Sequence, residues 1–321
     1  MIMLVMEDDI FNLMLHPQPI NPLDQNPAAI FIASKPSEHS RRTMHRALDT
    51  IAKMIAPDLD ALQFQWEYLR YAHTAMIRTR LLELDYKPAT VNVMLAALRG
   101  VLKECWKLGL MSAEDYHRAA DVPNVKNTTL PAGRELTAGE IVELFRACNL
   151  DTTPLGIRDA ALIAILRTTG LRRAEVVRLQ IRDYATSTRR LVIHGKGRKE
   201  RAVYVPESAR FYLTRWLEIR GDTDGPLLTV IRKGGHVTLN PLTPQSIYDI
   251  LAKRAHQAGL RDFSPHDFRR TFAGDMLDRG ADIVTVAGIL GHADVNTTRR
   301  YDRRPEDAKR KAADLISLPM P

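Results

Sequence analysis

Cysteine is nearly absent: Cys105 and Cys148 are the only two in 321 residues, and they stand far apart. No CxxC pair and no Cys/His run at metal-ligand spacing occurs, which excludes a disulfide scaffold and a structural zinc site and leads us to expect a reducing compartment. No apolar run is long enough to span a bilayer. The opening MIMLVMEDDI puts acidic residues directly behind a short apolar run, with no basic lead-in, which is not a secretory pattern. The nucleotide-binding patterns G-x-x-x-x-G-K-S/T and G-x-G-x-x-G are missing, and GKGRKE satisfies neither; HExxH is missing too. No internal repeat or low-complexity tract shows. We therefore expect no cofactor, no metal and no membrane partner, and a cytoplasmic location.

What is present in excess is positive charge, and it is unevenly placed. The chain carries 46 Lys+Arg against 38 Asp+Glu, a net charge of +8. Met1 to Leu130 holds 14 basic and 15 acidic residues, whereas Pro131 to Pro321 holds 32 and 23. A basic excess confined to one half fits a polyanion partner for that half or solubility alone, and charge by itself does not separate the two. The length is ample for two domains with separate cores.

Read along its length, the chain has five parts. Residues 1–36 carry prolines at 17, 19, 22, 27 and 36 without periodicity and read as an irregular arm. Residues 37–122 read as a small all-helical bundle. SEHSRRTMHRALDTIAKMI puts Met44, Leu48, Ile51 and Ile55 on one stripe. Arg41, Arg42 and Arg46 gather towards the start of that helix, where they could form a solvated face or touch DNA phosphates. A second helix is expected through Trp66, Leu69 and Tyr71 towards Leu82. A third, PATVNVMLAALRGVLKECWKLGL, is expected to be capped by Thr90, to bury Val91, Leu95, Leu98, Leu102 and Trp106, and to end at Gly109. Residues 123–134, rich in Pro, Asn, Thr and Gly, read as a linker.

From 135 the pattern changes to that of a second, mixed domain running to 303. Thr137 and Glu140 have the spacing of a capping box. TPLGIRDAALIAILRTTG reads as a buried helix closed by Gly170, and LRRAEVVRLQIRDY as a further helix from Leu171. RRLVIHGKGRKERAVYVP alternates around a turn and reads as a β-hairpin. LTPQSIYDILAKRAHQAGL is a helix capped by Thr243 with Pro244 at its first position, and Gln245 beside it is a candidate DNA contact. Residues 304–321 read as a short amphipathic tail helix with Ala308, Ala312 and Ile316 on one side. The fold class expected is mainly α with a small β-sheet.

One stretch, SPHDFRRTFAGDMLDRGADIVTVAGILGHADVNTTRRY, concentrates groups that hold or move protons. His266 and Arg269 share a helix face at i and i+3. Ser264 and Pro265 mark the helix start, and Leu290-Gly291 marks a helix stop ahead of His292. Tyr301 follows in a cationic segment. To cut and rejoin a DNA strand without metal or ATP, guanidiniums must grip the phosphate, a phenol must attack phosphorus, and a donor must protonate the departing 5′ oxygen. Arg172, just after Gly170-Leu171, Lys196 in the hairpin turn, and His266, Arg269, His292 and Tyr301 meet that requirement as a set.

Four segments in order, TTGLRRAEVVRL, HGKGRKERAVYVP, SPHDFRRTFAGDML and LGHADVNTTRRY, resemble the signature boxes of the tyrosine recombinase (phage integrase) family. The resemblance covers the second domain and, more loosely, the first, which looks like the family's SAM-like core-binding domain, with Arg99 among its candidate DNA contacts. It implies a mixed α/β catalytic domain in which Arg172 and Arg269 clamp the phosphate, Lys196 is the general acid and His266 an acid/base. His292 would hydrogen-bond the phosphate, Glu175 support Arg172, and Tyr301 form a 3′-phosphotyrosyl link. Arg173 competes with Arg172 and Lys199 with Lys196; the family's register favours Arg172 and Lys196, and leaves Arg198 and Lys199 as DNA contacts. Arg270 stands where the family often has His.

The resemblance further implies a homo-tetramer on double-stranded DNA with inverted half-sites, strand exchange through a Holliday junction, a tail helix that couples subunits, and room for an accessory protein. The lack of a long added domain before Ser37 points to a Xer-like two-domain layout. Two readings compete: a type IB topoisomerase, which would cut without synapsis, and a DNA-binding regulator of the same fold, which would have lost one of the six positions.

Overall fold

The computed structural model describes residues 25–126, 133–195, 200–292, 294–299 and 301–302. The chain divides into two compact units at Leu130/Pro131.

The first unit is all-helical among the described residues. Its first helix, α1 (Pro27–Ala33), corrects the irregular-arm reading for its described part: Asn26 Oδ1 accepts the Ala28 and Ala29 N–H groups, and Pro27 occupies the first position. The proline that suggested irregularity is therefore a start signal. Phe31 is buried, and it packs so closely on Gly100 that a Cβ there would meet its ring. Residues 1–24 lie outside the described part.

Helix α2 (Glu38–Ile55) buries Leu48, Ile51 and Ile55 as its stripe requires. The helix expected from Trp66 is broken. Trp66–Tyr68 is a single 3-10 turn, with the indole buried and donating to Ala61 O at 2.8 Å, and α3 begins only at Tyr71 (Tyr71–Glu83). Helix α4 (Pro88–Lys107) starts at Pro88 rather than behind Thr90, because proline is preorganised for that first position. Val91, Leu95, Leu98 and Leu102 are buried, but Trp106 is 38% exposed. Cys105 takes the inward place, and Trp106 stacks on Tyr116 of α5 (Ala113–Ala120) at 5.3 Å. The expected linker starts tied down: Asn92 exchanges two hydrogen bonds with the Val125 backbone, and Arg78 donates to Pro123 O.

The second unit is built around α7 (Pro154–Thr169), whose residues 160–166 are all buried. Against it pack α6 (Ala138–Leu150), with the Thr137/Glu140 capping box in place, and α9 (Glu207–Arg220). Helix α8 is only Arg173–Val176, not the long helix expected from Leu171. The reason is non-local: Leu179 O accepts the Leu227 N–H at 2.7 Å, and the Ile181 N–H goes to Gly225 O at 2.9 Å, so backbone groups a helix would use are claimed by another segment. Strands β1 (Tyr184–Ala185), β2 (Arg190–His194) and β3 (Glu200–Tyr204) form an antiparallel sheet in which His194 faces Glu200. A second antiparallel pair is β4 (Thr229–Ile231) with β5 (Val237–Pro241). Then follow α10 (Pro244–Gln257), α11 (Pro265–Asp278), α12 (Ile283–Leu290) and α13 (Val295–Arg299). Ser264 precedes α11, and the Asp267 carboxylate takes the Ser264 N–H at 2.7 Å. Residues 304–321, the expected tail helix, lie outside the described residues.

Candidate active site

Two helix ends create the centre of the site. Helices α7 and α12 both stop at a glycine in the left-handed conformation, Gly170 (φ 61°) and Gly291 (φ 67°). A Cβ at Gly170 would lie 2.6 Å from Phe272 Cδ1, and one at Gly291 would lie 2.8 Å from Arg201 Nη1, so a side chain at either would have to displace its neighbour as well as bear a left-handed backbone. The carbonyls at these ends point inward, and Arg269 from α11 donates to both: Nη1 to Gly170 O at 2.9 Å and Nη2 to Leu290 O at 2.8 Å. Arg269 is 1% exposed, and the negative ends of two helix dipoles hold its buried charge. Arg172 Nη1 reaches the same Leu290 O, at 3.4 Å. The two guanidiniums expected as a clamp therefore converge on one atom.

Glu175 organises the rest of the charge. Its carboxylate accepts the Arg172 N–H at 2.9 Å and Arg172 Nη1 at 3.2 Å, and it is forked by Arg201 at 3.0 and 2.9 Å. Burial pushes this carboxyl up, but the Arg201 fork and the Arg172 bonds outweigh it and hold it below the usual range. Arg201 also donates to Ile289 O at 2.8 Å, binding β3 to α12. The pairing favours Arg172 over its neighbour Arg173.

The His292 imidazole is neutral by geometry. Arg269 Nη2 lies 2.6 Å from His292 Nε2, and a guanidinium can only donate, so Nε2 accepts and the proton sits on Nδ1, which donates to Thr298 Oγ1 at 2.7 Å. Desolvation, then Arg269 and Arg172, push the His292 pKa down to about 4. The Tyr301 hydroxyl lies 3.3 Å from His266 Nε2, and its ring stacks on His292 with centroids 6.2 Å apart. His266, whose ring reaches solvent, is also shifted below its ordinary pKa, by desolvation and then by Arg269. Arg269 itself is lowered to about 10, by desolvation first and by Arg172 next.

Arg172, Glu175, Arg201 and His292 border a cleft of about 700 Å³, together with Arg178 and His194. A larger cavity of about 840 Å³, walled mainly by apolar side chains such as Phe145, Tyr212, Phe272 and Met276, gathers none of the expected catalytic residues.

Arg172, Glu175, His266, Arg269, His292 and Tyr301 thus come together; Lys196, Arg198 and Lys199 lie outside the described residues. Among the expected DNA contacts, Arg41, Arg42 and Arg46 are exposed on α2, and Gln245 donates to Asp249 Oδ1 at 2.8 Å. Arg99 is committed internally: Nη2 donates to Val122 O at 2.6 Å and Asn124 Oδ1 at 2.9 Å, holding the end of the first unit. The sequence reading missed Arg201 and Thr298. Arg201 left a signal: it shares a strand face with Val203, which is buried.

A mostly helical unit with two small sheets, gathering arginines, imidazoles and one phenol around two helix ends, has the architecture of a tyrosine recombinase catalytic domain. Residues 134–307 match the model of the Phage integrase family, and the chain belongs to that family. It is similar to tyrosine recombinase XerD of Pseudomonas aeruginosa, with 33% identity over 226 residues, 68% of this chain and 72% of the relative. Its fold is similar to that of XerH site-specific recombinase bound to a palindromic difH substrate, with a TM-score of 0.66 and 18% identity, covering 95% of this chain and 92% of that one. It is also similar to a lambda integrase tetramer bound to a Holliday junction, with a TM-score of 0.63 and 15% identity, covering 87% and 76%.

Proposed function

We propose that this enzyme is a site-specific DNA recombinase that cuts and rejoins strands through a 3′-phosphotyrosyl intermediate. The observation that carries the reading is the meeting of Arg172 and Arg269 at Leu290 O, beside a Tyr301 hydroxyl paired with His266. In cleavage, Tyr301 Oη forms a bond to phosphorus while its proton passes to His266 Nε2. The bond from phosphorus to the 5′ oxygen breaks, and Lys196 protonates that oxygen. Rejoining runs the same steps backwards: a 5′ hydroxyl attacks and the phenol leaves, so the phosphotyrosyl bond conserves the energy and no cofactor is consumed. Arg172 and Arg269 bind the non-bridging oxygens, whose charge grows towards the transition state.

His292 needs a change of partner to serve the phosphate, because its Nε2 now accepts from Arg269. An arriving phosphate oxygen would draw the Arg269 Nη2 donor, freeing Nε2 to take up a proton and donate. Partners in this reading are double-stranded DNA with inverted half-sites, three further copies of the chain in the synaptic complex and, in some settings, an accessory protein. The DNA-bound tetramer of lambda integrase, which shares the fold, supports the assembly.

The test is a nicked duplex carrying the site that the protein selects from a random-sequence library. The expected product is an SDS-resistant protein–DNA adduct that Tyr301→Phe abolishes. An adduct that survives the change, or that maps to Tyr204 or Tyr248, overturns the assignment.

A further inference from the structure

One group bordering the cleft has no part in the reading above. His194 ends strand β2 and faces Glu200 across the hairpin. Its Nε2 lies 3.0 Å from Asp183 Oδ1 and its Nδ1 lies 3.0 Å from Glu200 Oε1. Carboxylates accept and do not donate, so a ring bonded to two of them through both nitrogens carries both protons and is an imidazolium. The Asp183 bond first, and Glu200 after it, also raise the His194 pKa above its ordinary value.

The three groups form a chain from buried to exposed. Asp183 is 7% exposed and immobilised, since its Oδ2 takes the Gln180 N–H at 2.8 Å. His194 stands on the near arm of the hairpin and Glu200 on the far arm. Residues 195–199 join the two arms and contain Lys196. The other charged groups along this cleft are Arg172, Glu175, Arg178, Arg201 and His292. Arg201 adjoins Glu200 and ties the far arm to Glu175 and α12, so both arms are fixed at the root of the turn by ionic contacts.

We propose that His194 is a positioning residue for strand cleavage: its imidazolium staples both arms of the hairpin to Asp183 and so sets the root from which Lys196 reaches the departing 5′ oxygen. The inference rests on the reading of Lys196 as the general acid. Lys196 follows His194 by two residues in the chain, and proximity to the reacting atom is what makes an acid effective.

The experiment compares full-length wild type, His194→Ala, His194→Gln and Lys196→Ala on two nicked substrates. One has the normal 5′ oxygen at the cleaved bond; the other has a 5′ sulfur, which leaves without a proton. Lys196→Ala should lose cleavage of the oxygen link and keep that of the sulfur link; if it slows both equally, the reading of Lys196 fails on its own. Given that control, His194→Ala should slow the oxygen link by about tenfold or more, a part of the roughly 10²–10⁴ that a positioned acid supplies. Sulfur-link cleavage and DNA affinity should stay within about threefold of wild type on the same argument. His194→Gln, which keeps a donor towards Asp183, should recover most of the loss. Equal slowing of both substrates, no slowing of either, or a loss confined to DNA affinity (a plain phosphate contact) overturns the proposal.

Discussion

Glu175→Gln removes one negative charge from the centre of the site at almost constant shape. In the native protein the carboxylate is 8% exposed and receives four hydrogen bonds, two at each oxygen. A glutamine has one oxygen and one NH2, so either orientation keeps two of the four and turns the other two into donor–donor contacts. Breaking one partner out of a buried ion pair costs about 3–5 kcal/mol. Arg172, whose side chain is 45% exposed, can turn to solvent, whereas Arg201, at 16%, has little room to do so. That argues for a local cost of about 2 kcal/mol, below the fully buried range.

Hydrogen exchange of the intact chain reads that cost where it falls. Amides in peptides covering 170–177 and 287–292 should exchange roughly 30-fold faster in the variant, since about 1.4 kcal/mol is tenfold in an opening equilibrium. Peptides from α2, in the other unit, serve as the internal control. The pH dependence has a defined sign. The Glu175 carboxyl is held below its ordinary value of 4.5, so its contribution is present above that pH and is lost as pH falls through the folded value. Wild type should therefore lose protection on the acid side and the variant should lack that step. An increase below about threefold would refute the reasoning, because it would place the network among surface pairs worth about 0–1 kcal/mol.

Two further outcomes are expected. His292 should give the ¹⁵N signature of a neutral ring protonated at Nδ1; because its pKa falls from 6.5 to about 4, stability of the order of 2 kcal/mol should be lost as pH drops across that window, and a ring protonated at Nε2 in the free protein would contradict the assigned bonds. Gly291→Ala, at φ 67° with its new Cβ 2.8 Å from Arg201 Nη1, should cost about 1–2 kcal/mol in thermal unfolding and slow strand cleavage as well, whereas an unchanged Tm would mean that the helix end does not need the glycine.

The parts of this site that could be read in advance are those whose geometry is local. His266 and Arg269 are one helical turn apart, and Gly170 and Gly291 announce helix ends, so a sequence contains both facts. What brings them together is not local: Arg269 bonds a carbonyl 99 residues away, and Arg201 reaches a carboxylate 26 residues away. The same distinction explains the elements that differed. LRRAEVVRLQIRDY has the composition of a helix, but Gly225 and Leu227 claim its backbone groups and stop it after one turn. Trp66 fits a helical stripe, yet its indole bond to Ala61 O fixes a tight turn instead. In HGKGRKER the lysines drew the functional reading, while His194 and Arg201, at the root of the same turn, hold the ionic contacts that the structure shows.

The choice of partners for Arg269 has a consequence for binding. A buried guanidinium is most simply satisfied by a carboxylate, and Glu175 is close enough to influence this one. Yet the hydrogen bonds of Glu175 go to Arg172 and Arg201, and those of Arg269 go to two carbonyl oxygens and an imidazole. Carbonyls at helix ends supply only about half a charge each, so they orient the guanidinium without cancelling it. Its pKa is depressed to about 10 by desolvation first and by the neighbouring Arg172 next. A phosphodiester bound between Arg172 and Arg269 would offset the repulsion between the two guanidiniums. The relief grows as negative charge builds up on the phosphoryl oxygens, so the same arrangement that leaves the free site strained favours the transition state over the bound substrate.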